Sequence, residues 1–352
     1  MHYPVTPCSP WPCFLLLASL AACSHTEPYT TVPQGALGPF HPGNPAVVST
    51  SPGNWTQDGR GIVIQGTCLD SSRAGRGGSA LRILPAQGGS ALLELCEDKP
   101  AIDSMGRFVA PAMDRDGRLL YVEAVGPLST PRRPWPFPLS WHAELWLADT
   151  SSVPFPGRRL LMNLWGDHPA LPLVPPTTTN WIADIAWVGP DDFIALAQSL
   201  QNDGWIGNPR LAHGVIAADG ARLTTLPGTG SVQAFAVAAG GTSVVFIGDS
   251  FNISHVAVTG GPVTIVATLP TAAVQRVVDV SCRDDLCIVL TNDPTPVNLP
   301  RSTLWRLTLH DGQLLPIQSF QDRLGSAKLS PVSGDVLMFG SGGLRLYSGL
   351  VH

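Results

Sequence analysis

The sequence predicts an all-β fold, on three observations. Gly and Pro are abundant, 36 and 34 in 352 residues, about a fifth of the chain where about 12% is ordinary. Short β-rich runs alternate with turn residues along most of the length. No stretch beyond the N-terminal region sustains the 3.6-residue apolar period of a helix. Hydrophobic residues make up 44%, enough for a packed core and against wholesale disorder. Charged residues are only 13% and the net charge is −5, which argues against a nucleic-acid partner needing a basic face. Only two lysines occur, Lys99 and Lys328, among 21 basic residues; the skew reads as compositional bias.

The chain opens on an apolar run, Phe-Leu-Leu-Leu-Ala-Ser-Leu-Ala-Ala at 14–22, ending in small residues before Cys23. It is too short to span a bilayer as a helix, which takes about 20 residues, and suits the apolar region of a signal peptide. Leu20-Ala21-Ala22-Cys23 resembles a bacterial lipobox. That resemblance implies cleavage before Cys23, lipid on its thiol, and membrane anchoring. Ser24 in place of Asp implies the outer membrane, with periplasmic or surface display left open. The departure is that residues 1–13 hold no Lys or Arg, where a signal normally begins positive. Residues 23–45 lack hydrophobic periodicity and read as a tether, with the folded domain at 46–352.

With Cys8 and Cys13 in the signal and Cys23 lipidated, Cys68, Cys96, Cys282 and Cys287 remain. An even number in an exported chain suggests disulfides. Cys282 and Cys287 flank Arg-Asp-Asp-Leu between two apolar runs; facing positions of one hairpin bring their Cβ atoms near the ~3.8 Å that a bond needs. Cys68–Cys96 is the remainder. No zinc site is expected, because one close cysteine pair without a His pair does not supply the spacing.

A pair of β runs around a polar turn recurs six times. Asn-Trp-Thr at 54–56 leads through Gln57–Arg60 into Gly-Ile-Val-Ile. Corresponding units turn at 114–118, at Gly-Pro-Asp-Asp 189–192, at 238–242, between Cys282 and Cys287, and at Ser-Gly-Asp 333–335. Most units add a second hairpin, clearest at 80–95, 255–266 and 304–317. Two hairpins make four antiparallel strands, and each unit takes about 50 residues, near the length of a propeller blade. The prediction is a six-bladed β-propeller of four-stranded antiparallel blades, or seven-bladed if an insertion hides a degenerate unit. A pair of β-sandwiches is the competing all-β arrangement. The last unit is one strand short, and Ala-Val-Val-Ser-Thr at 46–50 is a spare strand that would close its open edge.

Ala-Met-Asp-Arg-Asp-Gly-Arg-Leu-Leu-Tyr-Val at 112–122 and Lys-Leu-Ser-Pro-Val-Ser-Gly-Asp at 328–335 resemble the WD-repeat-like motif of TolB-type bacterial propellers. The first, second and sixth units carry the resemblance in detail; the third has Gly-Pro-Asp-Asp and the fifth a cysteine.

In such a ring the connections alternate between two faces. Short turns gather on one and the long loops 69–79, 126–142, 166–180, 200–212 and 293–301 on the other, where binding segments usually sit. These loops hold Arg73 and Arg76; Arg132, Arg133, Trp135, Phe137, Trp141 and His142; Asp167 and His168; and Trp205 and Arg210. Arg and aromatic side chains are common interface anchors, although Trp also packs against its own Pro-rich loop. Asp114-Arg115-Asp116-Gly117 resembles the start of a calcium loop but lacks the Glu at its twelfth position, and reads as a hairpin turn. No nucleophile elbow, phosphate loop or His-Glu-x-x-His occurs, and no cofactor or metal is expected.

These readings favour an envelope lipoprotein, monomeric, whose propeller binds or scaffolds a protein or glycan. The alternative is a hydrolase or lyase acting on an extracellular polymer. It needs acidic groups converging at the central channel, and Asp184, Asp192, Asp279 and Glu123 are the candidates.

Overall fold

A computed structural model describes residues 36–39, 53–67, 79–86, 93–96, 104–127, 142–150, 157–165, 181–198, 209–293, 301–340 and 343–351. They form six four-stranded antiparallel sheets. The first blade is β2 (Asn54–Trp55), β3 (Gly61–Thr67), β4 (Ser79–Pro85) and β5 (Leu93–Cys96). The second is β6 (Ser104–Met113), β7 (Arg118–Pro127), β8 (His142–Asp149) and β9 (Arg159–Trp165). The third is β10 (Trp181–Trp187), β11 (Asp192–Gln198), β12 (Arg210–Ala217) and β13 (Gly220–Thr225). The fourth is β14 (Val232–Ala238), β15 (Ser243–Gly248), β16 (Asn252–Ala257) and β17 (Thr264–Thr268). The fifth is β18 (Arg276–Arg283), β19 (Leu286–Asn292), β20 (Ser302–Thr308) and β21 (Leu314–Phe320). The sixth is β22 (Leu324–Leu329), β23 (Val336–Gly340) and β24 (Gly343–Tyr347), completed by β1 (Ala36–Pro39) from the start of the chain.

The sheets form a closed ring. The first strands touch in the cyclic order β2, β6, β10, β14, β18, β22 and back to β2. The blade count is six. Closure works as the sequence suggested, but with a different strand. Ala36 pairs with Tyr347 and Pro39 with Arg345, so the edge is covered by residues ahead of 46–50 and inside the stretch read as a tether. Residues 46–50 lie outside the described residues. The short Ala36–Pro39 segment carries no periodic signal, so only pairing with β24 marks it as a strand.

The core follows from the alternation of each strand. Central strands are buried on both faces and read as unbroken apolar runs, such as Phe193–Ala197 and Cys287–Leu290. Six buried clusters result, one between each pair of neighbouring blades. Each fully buried Val, Leu or Ile contributes about 1.5–3 kcal/mol, so the stability of the ring resides at its seams. Close fit is visible at Gly214, which lies opposite Phe193; a Cβ there would meet the Phe193 ring at 2.2 Å.

Five of the six innermost strands share one irregularity. Pairing slips between Val109 and Ala112, Ile182 and Asp184, Val232 and Ala234, Val277 and Asp279, and Leu324 and Ser326. A bulge bends a strand and re-aims the next side chains. Asp184, Ala234, Asp279 and Ser326 thus occupy equivalent places after the slip, and Lys328, two residues beyond Ser326, shares its strand face.

Candidate functional site at the centre of the ring

The inner strands enclose a cavity of about 470 Å³. It opens among the turns that join first to second strands, with Gln57, Asp116, Gly189, Gly240 and Asp284 in its lining. Asp184 and Lys328 lie on its wall.

Three charges from three blades meet here. Lys328 Nζ donates to Asp279 Oδ1 at 2.8 Å and stands 3.9 Å from Asp184 Oδ2. Asp279 is buried and well satisfied. The Val280 amide donates to its Oδ1 at 2.9 Å and the Ala327 amide to its Oδ2 at 3.1 Å. Nearby, Ser281 Oγ accepts from the Leu329 amide at 2.9 Å. The bonds from Lys328, Ala327 and Leu329 stitch the sixth blade to the fifth. Burial raises the Asp279 carboxyl above the ordinary aspartate range, opposed by the Lys328 ammonium. Burial works to lower the Lys328 pKa, but Asp279 and Asp184 outweigh it and hold the ammonium above its usual value. At neutral pH Lys328 is therefore a charged donor rather than a base or nucleophile. Asp184 is the more accessible carboxylate, at 37% against 10% for Asp279.

Tryptophans fix the wall. Trp187 Nε1 donates to the Ala112 carbonyl at 2.9 Å, and Trp55 Nε1 to the Lys328 carbonyl at 3.0 Å. Lys328 is thus held through its backbone by the first blade and through its ammonium by the fifth. Arg118 lies over the Trp187 ring at 5.1 Å. It donates to Asp114 at 2.7 Å and to the Pro190 carbonyl, which ties the second blade to the third. Asp114 also accepts from the Asp116 and Arg118 amides, so Asp114–Gly117 is the hairpin turn that the sequence indicated.

Of the four acidic candidates, Asp184 and Asp279 come together around Lys328 and the other two do not. Asp192 opens β11 and pairs with His213 at 3.3 Å. Glu123 lies on β7, opposite Glu144 on β8, and takes a bond from Arg158 at 3.1 Å. Beside it, burial pushes the Tyr121 hydroxyl up to about 12. Lys328 itself was missed. Its rarity as one of two lysines was the available signal, read as bias.

Cys282 and Cys287 face each other across the β18–β19 hairpin and form the expected disulfide, with Cα atoms 4.1 Å apart. Arg210 begins β12 and is exposed. His142 begins β8 and Cys96 ends β5, but their side chains lie outside the described residues. Cys23, Cys68, Arg132, Arg133, Trp135, Phe137, Trp141, Asp167, His168 and Trp205 also lie outside them.

No protein-family model matches the chain, and no curated protein sequence matches it. Solved structures do resemble it. A luciferin-regenerating enzyme aligns over 85% of this chain and 91% of its own, with TM-score 0.50 and 8% identity. A putative TolB from Agrobacterium tumefaciens aligns over 84% and 88%, with TM-score 0.44 and 13% identity. The RRP9 WD40 repeats align over 90% and 99%, with TM-score 0.48 and 10% identity. At these identities the likeness is one of fold alone, and the propeller itself rests on the six four-stranded sheets.

Proposed function

We propose that the chain is an envelope lipoprotein, held at the outer membrane through lipid on Cys23, whose propeller binds or scaffolds a protein or glycan partner. The observation that carries this reading is the distribution of connections. Segments 68–78, 128–141, 166–180, 199–209 and 293–301 each join a second strand to a third, or a fourth strand to the next first strand. All five therefore leave from one face of a stitched ring. The four longest of them exceed every connection of the other face, where 150–158 equals 293–301 at nine residues. A rigid ring so arranged is suited to recognition, and these connections carry Arg132, Arg133, Trp135 and Trp141.

The test is crosslinking in intact envelope followed by affinity capture with the full chain. A specific protein or glycan is expected with the native chain and lost when Arg132, Arg133, Trp135 and Trp141 are all changed to Ala. Recovery of nothing specific, or equal recovery by both, overturns the reading. Lipid labelling is expected to disappear in Cys23→Ala; unchanged labelling removes the anchor.

The meeting of Asp184, on the cavity wall, with the buried Asp279 around Lys328 favours a second reading, a hydrolase or lyase of an extracellular polymer. Polysaccharide retained without turnover in a product assay decides against it.

A further inference from the structure

We propose that the central cavity is a binding site for a small, neutral, polyhydroxylated ligand, a mono- or disaccharide, gripped between Asp184 and Lys328. This goes beyond the partner reading, which concerns the long connections.

The argument begins with donors and acceptors. Lys328 has three N–H groups and spends one on Asp279. Asp184 Oδ1 accepts from the Ile185 amide at 2.9 Å, while Oδ2 stands 3.9 Å from the ammonium. That gap is too wide for a hydrogen bond. A hydroxyl oxygen about 2.8 Å from each fills it, donating its proton to Asp184 and accepting from Lys328. Ser281 Oγ accepts from Leu329 and keeps its own proton to donate.

Charge then selects the ligand class. A cation approaching Asp184 meets the Lys328 ammonium 3.9 Å away. An anion approaching Lys328 meets Asp184 and Asp279. Either sign of charge encounters a like charge at close range, and a neutral hydroxyl encounters none. Size agrees: the cavity of about 470 Å³ falls within the roughly 300–1,000 Å³ of small-molecule pockets. It far exceeds the ~30 Å³ share of one water.

The test is saturation-transfer NMR on the full chain. The probes are D-glucose, D-galactose, N-acetyl-D-glucosamine, maltose and cellobiose, with putrescine, citrate and glycine as charged controls. Transfer to at least one sugar is expected, falling about tenfold (one factor of ten in affinity) in Asp184→Asn and in Ala186→Leu. The first alters the acceptor without changing size, and the second fills space beside it, since Ala186 also lines the cavity. If one variant loses its native circular dichroism, the other decides. No transfer to any sugar, transfer only to the charged controls, or undiminished transfer in a folded variant overturns the proposal. Because the partner capture depends on residues of the long connections and not on the cavity lining, either test can fail while the other succeeds.

Discussion

Trp55 and Trp187 make the same bond at two places in the ring. Each ends the inner strand of its blade, and each indole N–H donates to a carbonyl on the preceding blade, Lys328 for Trp55 and Ala112 for Trp187. Both are buried. The seam is therefore held by a directional bond as well as by apolar contact.

Trp187→Phe retains most of the apolar contact and removes the donor, leaving the Ala112 carbonyl without it. The expected cost is about 1–3 kcal/mol, read as a lower urea midpoint at unchanged slope. Arg118 over the ring also loses its better cation–π partner, so the loss should be larger than for a lone hydrogen bond.

Lys328→Met leaves Asp279 buried without its counter-charge. Removing one partner of a buried ion pair costs about 3–5 kcal/mol, and a further Asp279→Asn change should recover part of it. The pH dependence has a definite sign. The folded pKa of Lys328 lies above the ordinary 10.5. Its stabilisation is thus whole below 10.5 and is lost as pH rises through the folded value. Urea unfolding of the native chain should show this alkaline loss and that of Lys328→Met should not. In the variant, burial raises the Asp279 carboxyl further, so acidification should narrow the gap between the two proteins.

His310 Nδ1 lies 2.5 Å from Asp285 Oδ2, and Nε2 lies 3.6 Å from Asp311. The hydrogen bond to Asp285, with the Asp311 charge, raises the imidazole above its ordinary 6.5. An NMR titration should place its midpoint higher than 6.5, and Asp285→Asn should lower it. An unchanged midpoint in that variant would remove Asp285 as the cause.

Gly214→Ala should destabilise the third blade. The added Cβ would fall 2.2 Å from the fully buried Phe193 ring. Overpacking of this kind costs about 1–3 kcal/mol, measurable by thermal or urea unfolding. Phe193→Leu in the same chain should recover part of the loss by making room.

The sequence by itself determined the repeat. Turn residues, apolar runs and four-strand units are local properties, so the six blades and the Cys282–Cys287 hairpin were legible from residue order. The need for a closing strand was legible as well, since an open edge is a liability anywhere. Which strand closes it was not. The Ala36–Pro39 segment has no pattern of its own and becomes a strand only against β24. The centre was likewise decided by tertiary structure. Asp184, Asp279 and Lys328 come from three separate blades, and no spacing in the chain relates them. Ring geometry brings Asp184 of the third blade and Asp279 of the fifth to Lys328 of the sixth, one ammonium between two carboxylates. Charges interact through distance in space, which residue order encodes only after the ring has closed.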